Sequence, residues 1–110
     1  MNLNERTVGD VVVIEISGRI DSVQAPKLHE RVGALVAPGK RILLDLTKVE
    51  YISSAGFRVL LLLARQAGQG QSRLALCGLS PKVRQLFDLG GFLDLFPIAP
   101  TQEEGIAATG

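Results

Sequence analysis

The sequence predicts an α/β domain: a small, mixed and mostly parallel sheet of four to five strands, with about four helices packed on it. Short runs rich in Val, Ile and Leu alternate with longer amphipathic runs, which is typical of parallel strands joined by helices. The turn pair Gly9-Asp10 separates the first two apolar runs, so the sheet begins with a hairpin. The chain has 110 residues, of which 46% are hydrophobic and only 5% aromatic. These totals fit one domain over residues 1–110 with an aliphatic core.

The first half of the chain predicts strand, strand, helix, strand. The three strands cover residues 3–7, 11–17 and 41–46. Between the second and third strands, Asp21 or Ser22 is expected to cap a helix in which Pro26 fits only the first turn. Pro38-Gly39 then ends that helix, and residues 47–50 form a short connection after the third strand.

The second half predicts three more helices and a fourth strand. The second helix runs from about Ser54 to Ala67 and is followed by the fourth strand, Arg73 to Cys77. Ser80-Pro81 starts a third helix, and Thr101 fits the cap of a short last helix. The apolar side of the third helix is predicted to hold Val83, Leu86, Phe87 and Leu89. A short strand is also expected near Phe96.

Composition and motifs argue against several classes of function. The net charge is +1, with one Tyr and no Trp, so neither a phosphate-binding patch nor a base-stacking surface for nucleic acid is expected. A single cysteine excludes an intrachain disulfide and a zinc cluster. The start lacks a signal-peptide layout, and no apolar run approaches the about 20 residues that span a bilayer. We therefore expect a cytoplasmic protein that is not an enzyme and uses no cofactor, since nucleophile elbows and phosphate loops are also missing.

The most informative segment is Tyr51-Ile52-Ser53-Ser54-Ala55-Gly56, where an apolar strand gives way to an apolar helix. A serine hydroxyl at a helix start can accept a hydrogen bond from an unpaired backbone N–H. An anion at the same place meets free N–H groups and the positive end of the helix dipole. Ser53 and Ser54 are therefore either caps or the site of a phosphorylation switch.

The helix after this junction is apolar on nearly every side. Arg58, Arg65 and Gln69 mark its most polar line, and Leu61 and Leu62 lie beside or between them. A helix of this kind is either enclosed in the core or presents apolar area to a partner. In so small a domain we expect at least one of the two leucines to be exposed.

These segments resemble the STAS domain, the fold of anti-sigma factor antagonists and of the cytoplasmic tails of sulfate transporters. Gly18-Arg19-Ile20-Asp21 is similar to the family's Gly-x-hydrophobic-Asp segment. Leu44-Asp45-Leu46 followed by Val49 resembles its third strand and loop. The serine junction, continued to Phe57, resembles its Asp-Ser-Ser/Ala/Thr-Gly-hydrophobic signature. The resemblance covers residues 3–108.

The resemblance implies that Ser54 is the phosphoacceptor. Ser53 then occupies the position where the family usually has Asp, so it is a second candidate. The implied partners are an anti-sigma factor with serine kinase activity and a metal-dependent serine phosphatase. The residues expected to bind the partner are Asp21, Ser53, Ser54, Gly56, Phe57, Arg58, Leu61 and Leu62. The oligomeric state is left open.

Several alternatives stay open at this point. The chain could be a constitutive STAS subunit or scaffold of a transporter or stress-signalling complex. Asp21 could cap the first helix rather than meet a partner, and Arg58 could pair with a phosphate or keep its helix soluble. Asp45 is interpreted as a structural carboxylate at a strand end, and Cys77 as a small buried hydrophobic residue.

Overall fold

The computed structural model describes residues 1–110 as one five-stranded sheet of order β1-β2-β3-β4-β5, with four helices. The strands are β1 (Asn2–Val8), β2 (Val11–Ile20), β3 (Arg41–Ile52), β4 (Arg73–Cys77) and β5 (Ile98–Ala99). The helices are α1 (Ala25–Gly33), α2 (Ser54–Gln69), α3 (Pro81–Leu89) and α4 (Gln102–Ala108). The β1–β2 pair is antiparallel and all other pairs are parallel, which confirms the predicted mixed sheet.

The helices divide between the two faces of the sheet. One face carries a cluster of 21 buried hydrophobic residues that joins the strands to α1, α2 and α3. The other face carries six, with Ile106 of α4 packed against them. This division follows from the parallel strands, whose alternate side chains point to opposite faces and are apolar on both. None of the four helices combines the length and the apolarity required to cross a bilayer.

The strand β3 is longer than the sequence predicts. Residues 47–50 are not a connection but part of β3, which runs to Ile52 because it stays paired with the end of β2. Two register shifts in β2 make that pairing possible, and Gly18 lies at one of them with φ of +90°. Gly18 therefore supports a bulge instead of ending its strand. As a result Ile20 and Ile52 end the two strands side by side.

The helix α1 is shorter than predicted at both ends. It begins at Ala25 after Gln24, whose side chain makes no capping bond, so Asp21 and Ser22 are not its caps. The helix also ends at Gly33, before Pro38-Gly39. A turn precedes it, in which the main-chain carbonyl of Asp21 accepts from the amide of Ala25 at 2.8 Å.

The predictions for the third and fourth helices have different outcomes. The predicted caps at Ser80 and Thr101 are confirmed, since each hydroxyl accepts an amide hydrogen bond three residues on, at 3.2 Å. Leu89, however, is 78% exposed, so its assignment to the apolar side of α3 is wrong. At 100° per residue Leu89 lies about 120° around the helix from Val83, outside the buried stripe that contains Val83 and Phe87.

Candidate functional site

The candidate site is the junction between β3 and α2, which is tied to the end of β2. Ser53 is the N-cap of α2, with extended backbone (φ −79°, ψ 171°), and its hydroxyl accepts from the amide of Gly56 at 3.2 Å. The amide of Ser53 donates to the carbonyl of Ile20 at 2.9 Å. Both bonds fix the direction in which the chain leaves the sheet and enters the helix.

Ser54 has a different environment from Ser53. It is the first residue of α2, its side chain is exposed, and its hydroxyl takes no part in the cap. The two interpretations of the paired serines thus separate: Ser53 supplies the structural bond, and Ser54 presents an unengaged hydroxyl to solvent. Capping by Ser53 is confirmed, whereas phosphorylation of Ser54 stays a prediction.

Gly56 allows α2 to approach the end of β2 closely. A Cβ atom at this position would lie 2.8 Å from the carbonyl oxygen of Ile20 and 2.8 Å from a methyl carbon of Ile52. Real side chains essentially never accept such distances to backbone atoms, so the helix would have to move. The glycine therefore sets where the first turn of α2, and with it Ser54, lies relative to the sheet.

The outer face of α2 combines leucines with arginines. Arg58, Leu61, Leu62 and Arg65 follow Ser54 at four, seven, eight and eleven residues, which places them on one side of the helix. Leu62 is 39% exposed and Leu61 is half-buried, so the prediction that at least one of them is exposed is confirmed. The helix contains no acidic residue, and neither arginine forms an ion pair, because the one salt bridge in the structure joins Arg31 to Glu5. We call Ser54, Arg58, Leu61, Leu62 and Arg65 the α2 outer face.

Phe57 points away from this face. It is buried, with its ring centroid 4.8 Å from that of Phe92 and 5.0 Å from that of Phe87. Phe57 and Gly56 therefore anchor α2 to the rest of the domain. Among the eight predicted partner-binding residues, these two lie beneath the surface rather than on it.

Sequence reasoning missed Val23, which is 68% exposed in the turn between β2 and α1. The carboxylate of Asp21 holds this turn by accepting from the amides of Val23 at 3.1 Å and Gln24 at 3.0 Å. The turn follows directly after Ile20, to which Ser53 is bonded, so Asp21 is the next residue in the chain after the one that the serine junction contacts. A single valine in a polar turn has no periodicity, so no pattern in the sequence marks it as exposed.

Asp45 lies on the other face of the sheet, within β3 rather than at its end. It accepts from the amide and hydroxyl of Thr47 and from the side-chain amide of Gln102 at 2.7 Å, and so connects β3 to α4. Burial acts to raise the pKa of Asp45, but the hydrogen bonds from Thr47 and Gln102 outweigh burial and lower the pKa below 3.8. Burial, together with the negative charge of Asp45, raises the pKa of Cys77 to about 12. Asp45 is therefore structural, as interpreted from the sequence.

The structure contains one polar cavity of about 390 Å³ near this carboxylate, lined by residues of β1, β2 and β3. Its two acidic side chains, Glu15 and Asp45, share the amide of Gln102 as a donor. Nowhere do three or more His, Cys, Asp or Glu side chains converge in a way that could hold a metal ion.

The mixed sheet, the division of its helices between the two faces and the serine junction define a small α/β domain. The chain belongs to the STAS domain family, whose model matches residues 2–105. It is 40% identical to BtrV of Bordetella bronchiseptica, which is named "Putative anti-sigma factor antagonist", over 98% of this chain and 94% of that protein.

Solved structures agree with this assignment. An anti-sigma factor antagonist from Mycobacterium paratuberculosis superposes with a TM-score of 0.86 at 28% identity, covering 98% of this chain and 92% of that one. The phosphorylated form of SpoIIAA, a Bacillus cell fate determinant, superposes with a TM-score of 0.71 at 20% identity, covering 96% of this chain and 97% of that one. At that identity the second comparison shows a shared fold alone.

Proposed function

We propose that this chain is an anti-sigma factor antagonist that acts by partner switching in the cytoplasm. Its unmodified form binds an anti-sigma factor and thereby frees a sigma factor, and phosphorylation of Ser54 abolishes the binding. The observation that carries this proposal is the exposed, unengaged hydroxyl of Ser54 at the edge of the α2 outer face. The relatives that bear the same functional name support it.

The α2 outer face has the composition of a protein interface. Exposed leucine supplies apolar area, and arginine is among the residues enriched where proteins meet. Because the face carries two positive charges and no negative one, its partner should present apolar side chains together with carboxylates. Ser54 lies on the same side of the helix, so a group added to it would stand between the two proteins.

A phosphate on Ser54 would break the complex without unfolding the domain. It adds about −1.5 to −2 charges, and near a helix N-terminus such charge is favourable by roughly 0.3–1 kcal/mol. Against a partner's surface the same dianion must lose its water, which costs several kcal/mol when the partner offers no counter-charge. Since about 1.4 kcal/mol is a tenfold change in affinity, the interface loses orders of magnitude while the fold stays intact.

The catalysis of the switch belongs to the partners. The only histidine, His29, lies on α1, and no base is hydrogen-bonded to the Ser54 hydroxyl. The chain thus supplies a nucleophile in an accessible place, and an anti-sigma factor with serine kinase activity supplies the base and the nucleotide. A metal-dependent serine phosphatase would restore the unmodified form.

Affinity capture from the source cells, followed by mass spectrometry, tests the partner. The bait is the wild-type chain, with Ser54→Asp and Gln85→Asp as variants. Gln85 is an exposed residue of α3, so its variant adds the same charge away from the junction. We expect a kinase-like anti-sigma factor with wild type and Gln85→Asp but not with Ser54→Asp. Recovery of a transporter ATPase with all three baits would instead support a constitutive subunit.

Intact-mass measurement of the protein from its own cells tests the modification. A phosphorylated form that disappears on phosphatase treatment, and is absent from Ser54→Ala, is the expected result. Phosphate that persists in Ser54→Ala and vanishes in Ser53→Ala would move the acceptor to Ser53. No phosphorylated form under any growth condition would overturn the switch.

A further inference from the structure

We propose that Arg58 is the internal counter-ion of the phosphate carried by Ser54. This inference rests on the proposed phosphorylation and adds a device within the chain that receives the new charge. The phosphorylated form would then be a distinct, internally paired state of the α2 outer face.

The spacing of the two residues brings their side chains together. Ser54 and Arg58 are four residues apart in α2, and side chains at that spacing are neighbours on a helix surface, with Cβ atoms about 5–6 Å apart. Both are exposed, so the long arginine side chain can adjust without disturbing the core. The acidic group would be N-terminal to the basic one, which is the favourable orientation for such a pair.

Arg58 is available for this role because nothing else in the structure engages it. It makes no ion pair and none of the side-chain hydrogen bonds, and its helix has no acidic residue to compete. Its guanidinium offers a planar set of donors that matches phosphate oxygens bidentately. A lysine at the same place would supply charge without that geometry.

The backbone at this helix end offers only part of what a dianion requires. The amide of Gly56 already donates to the Ser53 hydroxyl, and the amide of Ser53 donates to Ile20. Only the amides of Ser54 and Ala55 remain without a partner among those of the first turn. A side-chain cation is therefore the main remaining source of positive charge close to the phosphate.

No other arginine near the junction competes with Arg58. Arg65 lies on the same face but eleven residues from Ser54, about 16 Å along the helix axis. Arg19 is occupied with Tyr51, its guanidinium carbon lying 4.5 Å from the centre of that ring. Asp21, which follows Ile20 in the chain, carries a negative charge like the phosphate and would repel it, which makes a local counter-charge more valuable.

The pairing would also change what a partner meets. In the unmodified protein Arg58 is one of two free cations on the α2 outer face. With the phosphate paired to it, that cation is withdrawn, and the net charge of the face falls from +2 to about zero. One modification thereby removes an attraction for a partner's carboxylates and adds a repulsion.

Phosphorus NMR of protein with phosphoserine installed at position 54 by an expanded genetic code tests the pairing directly. The second pKa of the phosphate is about 6 in an ordinary setting and falls when a cation favours the dianion. We expect Arg58→Ala to raise this pKa by about 0.2–0.4 units relative to the wild-type chain. Arg58→Lys should recover part of the difference, and Arg65→Ala, the matched control, should leave the pKa almost unchanged.

Equal pKa values in the wild-type, Arg58→Ala and Arg65→Ala phosphoproteins would overturn the inference. So would equal shifts from both alanine variants, because these would indicate the general charge of the helix instead of a pair. The titration needs neither kinase nor partner, so its outcome is separate from the capture and intact-mass experiments. Failure of those experiments would remove the proposed function, while failure of the titration would remove only the role of Arg58.

Discussion

Replacing each of the paired serines by alanine tests which of the two hydroxyls supports the fold at the junction. Ser53→Ala deletes the oxygen that accepts from the amide of Gly56 at 3.2 Å and leaves that amide without a partner. Loss of such a cap costs about 1 kcal/mol, within a range of roughly 0.5–2. Ser54→Ala removes an exposed hydroxyl outside the cap and should change the free energy of unfolding by less than about 0.5 kcal/mol.

Urea unfolding followed by far-UV circular dichroism measures both changes, and thermal unfolding checks them. For a domain of about this size 1 kcal/mol corresponds to roughly 4–8 °C in melting temperature, so the two variants should be clearly resolved. Ser80→Ala is the matched control, because Ser80 caps α3 through the amide of Val83 at the same 3.2 Å. A Ser54→Ala protein as unstable as Ser53→Ala, or a Ser53→Ala protein as stable as wild type while Ser80→Ala is not, would refute the assignment of the two hydroxyls.

Four further predictions follow from the same structure. Gly56→Ala should lower the free energy of unfolding by about 1–3 kcal/mol in urea denaturation, because its Cβ would lie 2.8 Å from a carbonyl oxygen; Gly68→Ala, with open space around it in the same helix, should be neutral or stabilising. The folded pKa of Asp45 lies below 3.8, so its contribution to stability is present above about pH 4 and lost as the pH falls through the folded pKa; Asp45→Asn should flatten the acid limb of a stability–pH profile. The folded pKa of Cys77 is about 12 against 9.0 unfolded, so its contribution to the free energy of unfolding is full below pH 9 and lost as the pH rises toward 12. Cys77→Ala should therefore lack this decrease in stability at alkaline pH, and a decrease that persists in the variant would contradict the assignment. Leu62→Asp should weaken binding to the captured anti-sigma factor at least tenfold in titration calorimetry while leaving the melting temperature within a few degrees, and unchanged affinity would exclude this leucine from the interface.

The parts of the fold that the sequence predicts well are those with local signals. The strand β4 is bounded as predicted because its apolar run has polar residues and glycine on both sides. The caps at Ser80 and Thr101 were predictable since each depends on residues only three positions apart. The bounds of β3 were not, because its last six residues are held by pairing across two irregularities in β2. Such long-range pairing leaves no mark in the composition of residues 47–50.

In the candidate site, too, long-range contacts decide what the local sequence cannot. The sequence indicates that a serine caps α2. Which serine does so depends on the residue at which the backbone changes from extended to helical. Ser53 is extended and Ser54 is already helical, and that difference is fixed by the bond from Ser53 to Ile20 in another strand. Phe57 is likewise an aromatic residue of the kind that can anchor a protein interface, and only its stacking on Phe92 shows that it faces inward.

Because only one of the two adjacent serines caps the helix, a charge could be added to the other without lowering the stability of the fold. Ser53 is held by the bond to Ile20 and holds the first turn of α2, which Gly56 brings close to the sheet. These contacts determine where Ser54 lies, yet none of them passes through its hydroxyl. If the helix began one residue later, the modified oxygen would also be the capping oxygen. Phosphorylation would then remove the cap and lower the free energy of unfolding by about 1 kcal/mol. In the proposed switch, separating the two roles by one position would allow the α2 outer face to change while the fold beneath it does not.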